Sequence, residues 1–64
     1  MSRFDYEQSK RLAHEDYPFA ALIMAALRKA DTVNESLLRQ AFPAIHQELH
    51  ERHHAPGGTL ESDR

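Results

Sequence analysis

The sequence predicts an all-α protein, a small bundle of three to four short helices. Apolar residues recur at helical spacings of three and four, and no segment alternates as a strand does. Prolines and helix-capping residues separate the segments that have this spacing. The chain has 64 residues, so it forms one domain at most. We predict helices at about residues 3–15, 18–30, 33–42 and 44–54, a single helical domain over 1–54, and a flexible tail over 55–64.

The first helix has a clear start but a poor apolar face. Ser2 and Asp5 have the spacing of a capping box, which favours a helix N-terminus at this point. The apolar residues that follow do not form one stripe: Phe4, Tyr6, Leu12 and Ala13. We therefore expect this helix to lie on the others rather than to anchor them.

The second helix begins at a proline. Pro18 moves Tyr17 out of the α region and is itself well tolerated in a first helical turn. The helix should run to Ala30, because Arg28 and Lys29 then fall in the last turn, where cations suit the helix dipole.

The third and fourth helices are divided by Pro43, which either ends or kinks a continuous helix. Thr32 and Glu35 fit a capping box with Thr32 as N-cap. The apolar spacing continues across the proline at Leu38, Phe42, Ile45 and Leu49. These helices should therefore share one buried face. The segment APGG then stops the last helix.

The second helix is apolar on nearly every side, from Phe19 to Leu27. A helix of this kind is buried all round, but the rest of so short a chain can cover only part of it. One interpretation is that the other helices do so and leave only alanines exposed. We favour the other, in which a second copy or a partner covers the remainder. The predicted interface residues are Phe19, Leu22, Ile23, Met24 and Leu27.

Composition excludes several kinds of protein. The chain has no cysteine, which rules out disulfides, thiolate nucleophiles and cysteine-based zinc sites. The net charge is −2 and the basic residues are scattered, so we do not expect nucleic-acid binding. The first residues lack the apolar segment of a secretory signal, and the apolar run is too short to span a bilayer. We expect a cytoplasmic protein without a membrane partner or a cofactor.

The histidines are the one cluster that resembles a chemical site. His46 and His50 are four residues apart, a spacing at which two imidazoles can share a zinc ion, and His53 follows. The His-Glu-x-x-His frame is absent, so we assign no metal and keep these three histidines as an alternative. A pH-sensitive association through them is a further alternative. No serine lies in a nucleophile elbow and no glycine-rich loop opens a helix, so we expect no enzymatic activity.

Several motifs together resemble small uncharacterised helical proteins encoded by phages and prophages, especially those of actinobacteria. The matching positions lie within residues 18–58, a span of about two-thirds of the chain: Pro18 and Phe19, Ala21 to Ala26, Ala30 to Thr32, Leu38 and Arg39, Ala41 to Pro43, and Ala55 to Gly58. The resemblance implies a phage-related context and no particular chemistry. In these proteins aromatic or amide residues usually stand at the positions of His46, His50 and His53, which weighs against a metal site.

These observations favour a non-enzymatic phage-type accessory protein that binds a host or phage protein as a small helical homo-oligomer, with blunting of host defence as one such role. Basic side chains would then face the partner: Arg11, Arg28, Lys29 and Arg39. The alternative is an oligomer that sequesters a nucleotide or another anion at the helix 2–3 junction. A second alternative is a structural protein that binds zinc through its histidine face.

Overall fold

A computed structural model describes residues 1–63, and over this range the chain is all-α, as predicted. Four α-helices follow one another: α1 (Arg3–His14), α2 (Phe19–Lys29), α3 (Thr32–Ala41) and α4 (Pro43–His53). Two single turns of 3-10 helix come after them, Pro56–Gly58 and Glu61–Asp63. Each predicted helix boundary lies within one residue of the observed one. None of the described helices combines the length and the apolar character that crossing a membrane requires.

The core lies between α2, α3 and α4, and α4 packs against both of the others. Two side chains of the described residues are buried, Leu27 of α2 at 8% exposure and Leu49 of α4 at 7%. The Phe19 and Phe42 rings meet edge to face with centroids 5.6 Å apart, which joins the start of α2 to the end of α3. The core is therefore small and is centred on the buried face of α4.

Helix α1 stands apart from this core. Ser2 caps it as predicted, because its Oγ accepts a hydrogen bond from the Asp5 backbone N–H at 3.2 Å. Among residues 1–63, no Cα atom of α1 lies within 8 Å of a Cα atom in another helix. The expectation that α1 lies on the other helices is therefore wrong for the single chain. Glu15 and Pro18 both have extended backbone angles, so the link between them leads α2 away from α1.

The two ends of α3 show which residue caps the helix and what Pro43 does. Its N-cap is Asp31 and not Thr32, because the Asp31 carboxylate accepts a hydrogen bond from the Asn34 N–H at 2.8 Å. At its other end Phe42 leaves the helical region, with φ −131° and ψ 64°. Pro43 disfavours the α conformation for the residue before it, and it is the first residue of α4. The proline therefore separates two helices and does not kink one.

Residues 55–63 of the predicted flexible tail fold back against α4, and Arg64 lies outside the described residues. The Arg52 guanidinium donates to both carboxylate oxygens of Asp63 at 2.8 and 2.9 Å and to the Gly58 carbonyl at 2.7 Å. The turn uses positive φ angles at Gly57 and Gly58, which glycine adopts without strain. Hydrogen bonds from Arg52 and from the Leu60 N–H hold the pKa of the Asp63 carboxyl well below its ordinary value.

The chain exposes more surface than a compact protein of its mass. Its accessible surface is 5553 Å², whereas the usual scaling with mass gives roughly 4,200 Å² for 7.4 kDa. Its radius of gyration is 13.5 Å, against about 11 Å for a compact domain of this length. The excess is about 1,300 Å² per chain, and the detached position of α1 accounts for the extended shape.

Candidate functional site

The apolar side chains around α2 are only partly covered by the rest of the chain. Of the five predicted interface residues, Leu27 lies inside the core, so its side chain belongs to the fold of the single chain. Leu22, Ile23 and Met24 are half-buried, and Phe19 remains 61% exposed. Residues of α2 also line two depressions, one shared with α1 and one shared with α3.

The first depression, here called the α1–α2 cleft, has a volume of about 360 Å³. It is lined by Leu12, Tyr17, Ala21, Leu22 and Ala25. Leu12 and Tyr17 are 50% and 56% exposed, and Ala21 and Ala25 are exposed as well. No charged residue occurs in this described lining. The cleft is therefore an apolar surface made of large exposed side chains beside small ones.

The second depression, here called the α2–α3 groove, has a volume of about 500 Å³. The end of α2 and one face of α3 line it: Ala26, Lys29 and Ala30, with Asn34, Leu37, Leu38 and Ala41. Leu37 is 57% exposed, and Lys29 is the one charged residue of the described lining. Within residues 1–63 the Lys29 ammonium forms no ion pair. The groove is thus mostly apolar and contains one exposed cation.

The sequence analysis did not predict this groove, although the apolar residues of α3 indicated it. Val33 and Leu37 are four residues apart and lie on the same side of the helix. Both are large apolar side chains, and both are mostly exposed in the structure. Leu38 and Phe42 are half-buried. An apolar pair that does not continue their spacing was therefore a sign of a second apolar surface.

The histidines divide between a structural contact and a solvent-exposed face. His46 Nε2 lies 2.9 Å from Glu35 Oε1, and this contact ties α4 to α3. The exposed His50 ring meets the His54 ring edge to face at 4.6 Å. His46, His50 and His53 do line a small pocket of about 110 Å³. Over the part of the chain that is described, no three His, Asp or Glu side chains are grouped so as to hold a metal ion.

The four basic residues singled out in the sequence do not converge. Arg11 lies on the detached α1, and Arg28 and Lys29 lie in the last turn of α2. Arg39 is in the last turn of α3, about 12 Å along the axis from Asp31 at 1.5 Å per residue. The Asp31 carboxylate already occupies the N-terminus of α3, where an anion was expected to bind. Within one chain these residues lie on three different helices, and an anion site shared between copies stays a prediction.

Comparisons with protein-family models, with curated proteins and with solved structures find no match to this chain. Its function is therefore inferred from the surfaces that the chain itself presents.

Proposed function

We propose that this chain is a non-enzymatic binding protein that works as a small helical oligomer and acts by occupying a protein of a bacterial host or of a phage. The observation that carries the proposal is the excess of about 1,300 Å² of accessible surface over that of a compact protein of equal mass. Much of the open surface is apolar, since large exposed side chains lie along three of the helices and the first link: Phe4, Tyr6, Leu12, Tyr17, Phe19, Val33 and Leu37.

Energetics support association. A single core in a chain of this size supplies roughly 3–5 kcal/mol, and only two described side chains are buried here. Contiguous exposed apolar patches on small proteins mark interaction sites. Surface that is buried against another chain adds stability by mass action, because the partner binds the folded state and not the unfolded one.

The α2–α3 groove is the surface that we assign to the target protein. Apolar grooves between two helices commonly receive the apolar face of a third helix. The exposed Lys29 in the lining favours a target helix that carries an acidic residue beside its apolar face. The motif resemblance supports a phage or prophage context, in which so small a chain would act by binding a host protein, including one of host defence.

Neither alternative function is favoured by a specific observation. Sequestering a nucleotide would require an anion at the N-terminus of α3, where the Asp31 carboxylate lies. Binding zinc would require a third ligand beside two histidines, and none is grouped with them among residues 1–63. We therefore propose the binding protein alone.

The test combines mass measurement with target capture. Light scattering across a hundredfold range of concentration should give a mass above that of one chain. Tagged wild-type protein, Leu37→Asp and the control Gln40→Asp, an exposed polar position on the same helix, are then used to capture proteins from an actinobacterial lysate. One protein should be retained by wild type and Gln40→Asp and lost with Leu37→Asp. A strictly monomeric chain that captures nothing in a Leu37-dependent way would refute the proposal.

A further inference from the structure

We infer that the α1–α2 cleft is filled by a second copy of this chain, docked about a twofold axis so that Leu12 and Tyr17 of each copy pack against Ala21 and Ala25 of the other. The inference rests on the proposed function and deepens it, because it identifies which surface forms the assembly and what covers that surface.

The lining of the cleft combines large and small side chains, as a self-complementary patch requires. An interface with twofold symmetry uses the same patch on both chains, so that patch must contain projections as well as hollows. Leu12 and Tyr17 are large and about half exposed, and they border the small exposed side chains of Ala21 and Ala25. Two such patches related by a half-turn place the large side chains of one over the alanines of the other. Side chains this small allow close approach of the two α2 helices.

The two depressions of the chain differ in the charge of their linings. Close to a twofold axis each residue lies near its own counterpart, so a charged lining would bring like charges together at a cost. The described lining of the cleft contains no charge. The α2–α3 groove, in contrast, contains Lys29, which would approach the same lysine of a second copy. Self-association is therefore favoured at the cleft, and the groove remains open for a different protein.

The excess accessible surface of the chain is large enough for a dimer interface. A stable interface of standard size buries about 800 Å² on each partner. The excess surface of this chain, about 1,300 Å², is enough for such an interface. Helix α1 supplies surface for it, because none of its residues is buried. An isolated helix of 12 residues is only marginally stable in water, so α1 gains most from a docked neighbour.

Two adjacent alanines give a matched test of the occupied face. Ala25 lines the cleft and Ala26 lines the groove, and both are exposed on the same helix. Sedimentation velocity should give twice the 7.4 kDa chain mass for wild type and for Ala26→Glu. Ala25→Glu should weaken the dimer at least about a hundredfold, because an unpaired carboxylate would be buried against apolar surface. Glutamate is a good helix former, so circular dichroism should show equal helix content in both variants.

Cross-linking gives a second readout that does not depend on destabilising the dimer. The chain has no cysteine, so each single-cysteine variant carries one thiol. Mixing Leu12→Cys with Ala25→Cys under mild oxidation should form a disulfide heterodimer faster than mixing Leu12→Cys with Ala26→Cys. Equal rates for the two mixtures, or a dimer lost in Ala26→Glu and kept in Ala25→Glu, would overturn the cleft assignment and leave the oligomer standing. A wild-type chain that stays monomeric throughout would instead refute the oligomer itself.

Discussion

Truncation of Leu49 tests whether α4 organises the core. Leu49 is 7% exposed and lies on the helix that packs against both α2 and α3. Leu49→Ala removes three carbons at about 0.8 kcal/mol each, or about 2.4 kcal/mol, before any cavity cost. Adding a small cavity term gives a loss of about 3 kcal/mol in the free energy of unfolding. That loss is most of the roughly 3–5 kcal/mol available to a core of this size.

Urea denaturation followed by circular dichroism, at one fixed protein concentration, measures this loss. Leu37→Ala is the matched control, since it is the same substitution at a side chain that is 57% exposed. It should cost about 1 kcal/mol or less, because less than half of that side chain's surface is removed from water in one chain. Equal losses in the two variants, or a loss below about 1 kcal/mol for Leu49→Ala, would contradict the packing described for α4.

Three further predictions concern the dimer, the contact of His46 with α3 and the contact of Asp63 with Arg52 and Leu60. Tenfold dilution of a dimer lowers its free energy of unfolding by about 1.4 kcal/mol. Dividing by an unfolding entropy of about 0.27 kcal/mol per kelvin for two chains gives a fall in Tm of about 5 °C, which calorimetry should show. An unchanged Tm contradicts association. His46→Ala should cost about 1 kcal/mol, since it removes a half-buried side chain whose Nε2 contacts Glu35 Oε1 of α3 at 2.9 Å, whereas the exposed His50→Ala should cost less than about 0.5 kcal/mol in the same denaturation assay. The pKa of Asp63 is lowered in the folded chain, so its contact stabilises residues 55–63 fully above the unfolded pKa of about 4 and is lost as the pH falls below that value. The NMR amide signal of Leu60, which donates to Asp63, should therefore shift in acid, and Asp63→Asn should produce that shift at neutral pH; a signal insensitive to both changes would contradict the contact.

The helix boundaries could be predicted because their causes are local. Ser2, Pro18 and Pro43 each act within one helical turn, so their effects are visible in a few consecutive residues. The wrong N-cap predicted for α3 also has a local cause. Asp31 and Thr32 are adjacent residues that can both cap a helix, and in the structure the Asp31 carboxylate is the cap. The apolar character of α2 is likewise present in the sequence.

Contacts between distant residues could not be predicted in this way. Arg52 and Asp63 are eleven residues apart, and no spacing rule links a helix to a segment beyond two glycines. Periodicity did not show that Leu27 faces the core while Ala25 and Ala26 face two different depressions, because every side of α2 is apolar.

The sequence by itself determined an all-α chain, the position of each helix and the presence of more apolar surface than one copy can cover. The tertiary structure alone decided which side of α2 is buried, that α1 stands free, and that a groove beside α3 carries a lysine. The physical reason is that caps and prolines act through neighbouring backbone groups, whereas burial depends on which distant helices meet.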